Sequence, residues 1–123
     1  MSSILDRTRA LCSVVAPSGR ERGIADILRK DWARLGQVEE DRLGNLSVTV
    51  GSGSPHVAFV GHMDEVGFVV RRIAPDGFVA LNRLGGIPER VLAGQRILLM
   101  GRQGPVPGVF ATWPHHYTAD ADK

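Results

Sequence analysis

The chain has a single cysteine, Cys12, so no internal disulfide can form. That absence fits a reducing compartment, and a cytoplasmic protein is expected. It also has no apolar stretch near the length needed to span a bilayer. The amino terminus, Met1-Ser-Ser-Ile-Leu-Asp6, lacks the basic start and apolar block of a secretory signal. Charge of one sign is missing too. Fifteen Lys and Arg face thirteen Asp and Glu, a net charge of +2 with the cations scattered. Neither nucleic acid nor an anionic membrane is indicated as a partner. No internal repeat or long low-complexity segment is visible.

What is present suits one ordinary soluble domain. The chain has 123 residues, 43% hydrophobic and 23% charged, enough for a core but not a large one. Helical spacing of Ile4, Leu5, Thr8, Leu11, Cys12 and Val15 predicts a first helix over 3–15, capped by Ser3. That pattern puts Cys12 in the core, not in a nucleophile's role. Ala16-Pro-Ser-Gly19 breaks it. Ser18 and Glu21 have capping-box spacing and predict a second helix over about 20–35, with Ile24, Ile27, Leu28, Trp32 and Leu35 on its inner face.

From residue 37 the pattern changes to strands. Gln37–Asp41 and Leu46–Val50 flank a turn at Leu43-Gly44-Asn45, where Asn45 is expected to satisfy backbone groups. After a Gly/Ser loop, Val57–Val60 forms an apolar run that reads as a strand buried on both faces. It ends in Gly61-His-Met-Asp-Glu65. Short strands at 66–73, 78–81, 96–100 and 106–110 follow, separated by Gly-rich turns. The expected fold class is α/β: an α/β part with two helices over residues 1–70, then a small antiparallel barrel or sandwich over 71–123.

The functional signal lies at the end of the apolar run. In open α/β sheets ligands sit beyond the carboxyl ends of the strands. Alternate residues of an extended chain share a face, which places His62 beside Asp64. A metal-bound imidazole commonly donates its second ring N–H to a carboxylate, which fixes its tautomer. His62 is therefore a candidate metal ligand and Asp64 the acid that orients it. A hydrogen-bonded strand end would use the same two residues. Glu65 is assigned to backbone groups nearby.

Several motifs in order carry a family resemblance: Ala16-Pro-Ser-Gly-Arg-Glu21, Asp41-Arg-Leu-Gly-Asn-Leu46, Gly61-His-Met-Asp-Glu-Val-Gly-Phe68, Asp76-Gly-Phe78, Gly85-Gly-Ile87, Val91-Leu-Ala-Gly-Gln95, and Gly108-Val109 leading to Pro114-His-His116. The chain resembles the tetrahedral (TET-type) metallo-aminopeptidases, which include glutamyl and deblocking aminopeptidases and proteins labelled cellulase M. The resemblance implies an α/β peptidase domain with a central mixed sheet and a small β-barrel inserted after the His-x-Asp strand and used in assembly. It implies two divalent metal ions, zinc or cobalt, peptide substrates trimmed from the amino end, and a large homo-oligomer. His62 matches the first metal-binding histidine and Asp64 its supporting aspartate. His115 and His116 match a barrel loop. Family chains are considerably longer, and their other ligands and general base lie past the point matched by Lys123. The expectation is an amino-terminal piece of such an enzyme, inactive alone. A non-catalytic assembly or binding module derived from the family is the alternative.

Overall fold

In the computed structural model, which describes residues 3–112, the first helix begins at its expected cap. The Ser3 hydroxyl accepts the Asp6 N–H at 3.1 Å, and the Asp6 carboxylate accepts the Ser3 N–H at 3.1 Å. This reciprocal box satisfies two amides that no helical carbonyl can reach. Helix α1 (Ile4–Cys12) is shorter than its periodicity suggested and buries none of its residues. Cys12 is exposed, not in the core. Periodicity identifies an apolar face, but no segment among the described residues packs tightly enough on α1 to bury it.

Helix α2 (Arg22–Trp32) carries the small core, Ile24 and Ala25, with Ala16 from the preceding loop. The loop approaches closely: a Cβ on Gly23 would lie 2.7 Å from Val14 Cγ1. The expected box between Ser18 and Glu21 does not form. Pro17–Arg20 closes a turn, with the Arg20 N–H on the Pro17 carbonyl at 2.8 Å and Gly19 at φ +82°. The turn delays the helix, so the cap position falls to Glu21 and Ser18 lies outside it. Glu21 instead accepts the Gly19 N–H at 2.6 Å.

Strands β1 (Val38–Glu40) and β2 (Leu46–Val48) pair antiparallel, with Glu40 opposite Leu46. Arg29 ties α2 to this hairpin, bonding Asp26 at 2.7 Å and also the Glu40 carboxylate. The expectation for Asn45 in the connecting turn is corrected. Asp41, not Asn45, satisfies the backbone: its Oδ1 accepts the N–H groups of Leu43 (2.8 Å) and Asn45 (2.9 Å). The Asn45 side chain donates to Asp41 Oδ2 at 2.8 Å. These donors, the Asn45 amide first, hold the Asp41 carboxyl below the usual aspartate range, against a small opposing desolvation. A depressed carboxyl stabilises the fold above its unfolded value and loses that contribution as pH falls through its folded one. Protection of the Leu43 and Asn45 amides against exchange should therefore drop below about pH 4. In Asp41→Ala it should be low and flat with pH.

The apolar run at 57–60 forms no strand. Val57, Phe59 and Val60 are 74%, 97% and 94% exposed, so the expected buried strand is corrected to an unpaired extended segment. A strand requires a partner, and among the described residues none pairs with it. Strands β3 (Gly67–Ile73) and β4 (Val79–Leu84) form an antiparallel hairpin with a register shift between Val70 and Arg72. Asp76 closes its turn by accepting the Phe78 N–H at 3.2 Å.

The chain divides into two units, Met1–Gly85 and Gly86–Lys123. The boundary expected near residue 70 falls inside β3. In the second unit a short 3₁₀ turn, Glu89–Val91, precedes β5 (Arg96–Gly101) and β6 (Gly104–Val109), again antiparallel. Among the described residues every ladder is two-stranded, and neither a mixed central sheet nor a closed barrel is seen there. The parallel pairing among the described residues is one bridge, Pro17 with Glu65. The Pro114-His115-His116 motif and its neighbours Trp113 and Tyr117 lie outside the described residues. No helix among those described is long and apolar enough to cross a membrane.

Candidate metal centre

The unpaired run delivers Gly61–Glu65 to the loop between the two helices. The bridge at Pro17 and Glu65 fixes this contact: the Glu65 N–H donates to the Ala16 carbonyl at 2.9 Å. The Glu65 carboxylate returns the bond, accepting the Ala16 N–H at 2.9 Å. Its carboxylate thus bonds a nearby backbone N–H, the role expected for it. Gly67 lies close to the same loop, since a Cβ there would be 3.0 Å from Pro17 Cβ.

His62 and Asp64 come together on one side of this segment. His62 Nδ1 lies 3.0 Å from Asp64 Oδ1 and 2.9 Å from the Asp64 carbonyl oxygen. Both partners are acceptors only, so Nδ1 must carry the proton. In the neutral ring Nε2 then holds the free lone pair. The His62 side chain is 84% exposed, which leaves that nitrogen open to a ligand.

The second oxygen of Asp64 is used by a residue that sequence reasoning assigned elsewhere. The Ser18 hydroxyl donates to Asp64 Oδ2 in a short, charge-assisted bond. This bond is the largest influence holding the Asp64 carboxyl below its ordinary range; desolvation opposes it and the His62 ring adds to it. Asp64 is therefore a carboxylate at neutral pH, able to accept from Nδ1. The Pro-Ser-Gly sequence ahead of a helix was read as a cap. The available signal was its place among the motifs shared with the peptidase family.

As a donor set, the pair suits one corner of a divalent-metal centre. Neutral imidazole is a common ligand for such ions, and its carboxylate partner is the usual support. Catalytic zinc normally takes three protein ligands and a water. Among the described residues no group of three or more His, Cys, Asp or Glu is gathered to supply them.

Known proteins extend this geometry. The sequence model of the M42 glutamyl aminopeptidase family matches residues 44–123. The glutamyl aminopeptidase of Lactococcus lactis subsp. cremoris is 38% identical over 118 residues, 92% of this chain and 33% of that protein. Among solved structures, a TET aminopeptidase from a marine-sediment thaumarchaeon superposes with a TM-score of 0.86 at 32% identity, covering 96% of this chain and 34% of that one. The TET1 peptidase of Pyrococcus horikoshii, which can assemble into a tetrahedron or a large octahedral shell, gives 0.81 at 27% identity, over 98% and 37%. The chain thus spans about a third of the length of these relatives. The family model covers more than half of the chain and the backbone superposes on TET aminopeptidases, and the chain belongs to the M42 glutamyl aminopeptidase family.

Proposed function

We propose that this chain contributes the first metal ligand of a metal-dependent aminopeptidase, a hydrolase that removes amino-terminal residues from peptides in the cytoplasm. The observation that carries the reading is the contact of His62 Nδ1 with Asp64 Oδ1 at 3.0 Å, which leaves the exposed Nε2 free at the family's His-x-Asp motif. His62 holds a metal through Nε2, and Asp64 keeps the ring in the required tautomer and orientation. Two divalent ions, zinc or cobalt, would supply a Lewis acid for the scissile carbonyl and lower the pKa of an attacking water. The remaining ligands and the general base come from sequence corresponding to the unmatched two-thirds of the relatives.

Residues 1–70 belong in this reading to the peptidase domain and 71–123 to the assembly barrel. The complete protein is a homo-oligomer, as the TET relatives are. A second reading, a non-catalytic assembly or binding module, draws on the exposed Phe59 and Val60, which suit association with another chain.

A chimera separates the two. Residues 1–123 replace the matching segment of the Lactococcus lactis glutamyl aminopeptidase, and turnover of aminoacyl substrates is measured. The chimera should hydrolyse them. His62→Ala should lower kcat/KM by at least roughly a hundredfold, because even the supporting partner of a metal ligand is commonly worth ten- to a hundredfold. A folded chimera whose turnover is indifferent to His62→Ala would exclude the proposed role.

A further inference from the structure

We propose that Ser18 is a positioning residue for His62, acting through Asp64; the proposal rests on the reading of His62 as a metal ligand. A carboxylate on a single-bonded side chain can rotate, and it holds an imidazole well only when that rotation is stopped. Here each oxygen of Asp64 has one side-chain donor. Oδ1 receives His62 Nδ1–H at 3.0 Å, and Oδ2 receives the Ser18 hydroxyl. The Ser18 donor lies 46 residues from Asp64 in sequence and the His62 donor only two, so the two bonds are set independently.

Ser18 is itself aimed by the loop that carries it. Ala16 is clamped to Glu65 by both of its backbone groups, at 2.9 Å each. Pro17 forms the parallel bridge and sits where Gly67 leaves room for it. The turn from Pro17 to Arg20, with Gly19 at φ +82°, then holds Ser18 outside the helix. A hydroxyl in this place is not needed to start α2, whose cap position is Glu21. Its bond to Asp64 is the one side-chain bond it makes among the described residues. The loop joining the two helices thereby becomes the outer support of the metal ligand. Loss of the hydroxyl should free the carboxylate to turn, leave Nδ1–H with the Asp64 carbonyl oxygen at 2.9 Å as its remaining acceptor, and so raise the share of the proton on Nε2, the nitrogen a metal requires bare.

The test reads that proton. The 123-residue chain is labelled with ¹⁵N at its histidine rings, and His62 is assigned by its loss in His62→Gln. Long-range ¹⁵N–¹H spectra at a pH where the ring is neutral, or magic-angle spectra of the hydrated solid, give the ratio of Nδ1–H to Nε2–H forms. The wild-type chain should be mainly Nδ1–H. Ser18→Ala should lower the ratio by roughly fivefold, the effect of one lost hydrogen bond. Ser18→Thr, which keeps the hydroxyl, should retain the wild-type ratio. If Ser18→Ala does not fold, Ser18→Cys, of similar size and a weak donor, is read by the same criterion. An unchanged ratio in the variant without the hydroxyl overturns the proposal, as does an equal fall in Ser18→Thr. Millimolar zinc added to the wild-type chain tests the underlying reading separately. If His62 Nε2 does not respond to zinc while the ratio responds to Ser18→Ala, Ser18 positions the ring and only the metal role of His62 fails.

Discussion

Purified alone, the 123-residue chain is expected to hydrolyse no aminoacyl p-nitroanilide above the background rate, with or without added zinc or cobalt. The reason is the number of donors. Among the described residues no three His, Cys, Asp or Glu side chains are gathered into a ligand set, and the carboxylate that supports His62 has both oxygens already engaged. A catalytic zinc site needs about three protein ligands to hold the ion with an open position, and a paired site needs more. Activating water at neutral pH depends on an ion that stays bound. Enzymes lower such barriers by about 8 kcal/mol or more, and a singly ligated, exchanging ion offers little of that. Glu65 is held at the Ala16 loop, its carboxylate accepting the Ala16 N–H, and has a structural part there. The check is turnover by homogeneous protein. Hydrolysis abolished both by a chelator and by His62→Ala would show that this chain assembles a working centre after all.

Phe59→Ala is expected to act in opposite directions in the isolated chain and in the chimera with the Lactococcus lactis enzyme. In the isolated chain Phe59 is 97% exposed and Val60 94%, beside Val57 at 74%. Alternation along an extended segment puts Val57 and Phe59 on one side and Val60 on the other, so both sides are apolar. Exposed apolar surface of this kind drives self-association. Covering one Phe side chain contributes about 1.5–3 kcal/mol. Phe59→Ala should therefore weaken self-association by roughly ten- to a hundredfold, seen as a shift toward monomer in sedimentation velocity. In the chimera the rest of the relative's sequence can supply the strand partner that the run's composition calls for, and Phe→Ala at a buried position costs about 3–5 kcal/mol. Its denaturation midpoint should fall steeply. A chimera indifferent to Phe59→Ala would mean that this surface stays open in the longer protein, which would favour the association module.

The residues that local physics governs were legible before any coordinates. Ser3 and Asp6 are three apart, and a capping box involves only those two and their own backbone. The turns at Gly44 and Gly77 sit where glycine takes φ of +87° and +89°. The strands at 38–40, 46–48, 67–73 and 79–84 needed only a neighbour across a short turn, and each found one. The run at 57–60 failed for the complementary reason. Its composition demands burial, but the partner that would supply it is not adjacent in sequence. Cys12 failed likewise, since an apolar helix face is buried only where something packs on it.

The sequence by itself determined the short hairpins, the first helix cap and the placing of His62 and Asp64 on one face, because each depends on contacts within a few residues. It also carried the ordered motifs that mark the family. Only the tertiary structure decided that Ser18 faces Asp64 across 46 positions, that Glu65 is engaged by Ala16, and that Nδ1 is the nitrogen of His62 that is bonded. Those outcomes depend on how a loop between two helices meets a distant segment, and spacing along a chain does not encode the direction of such a meeting.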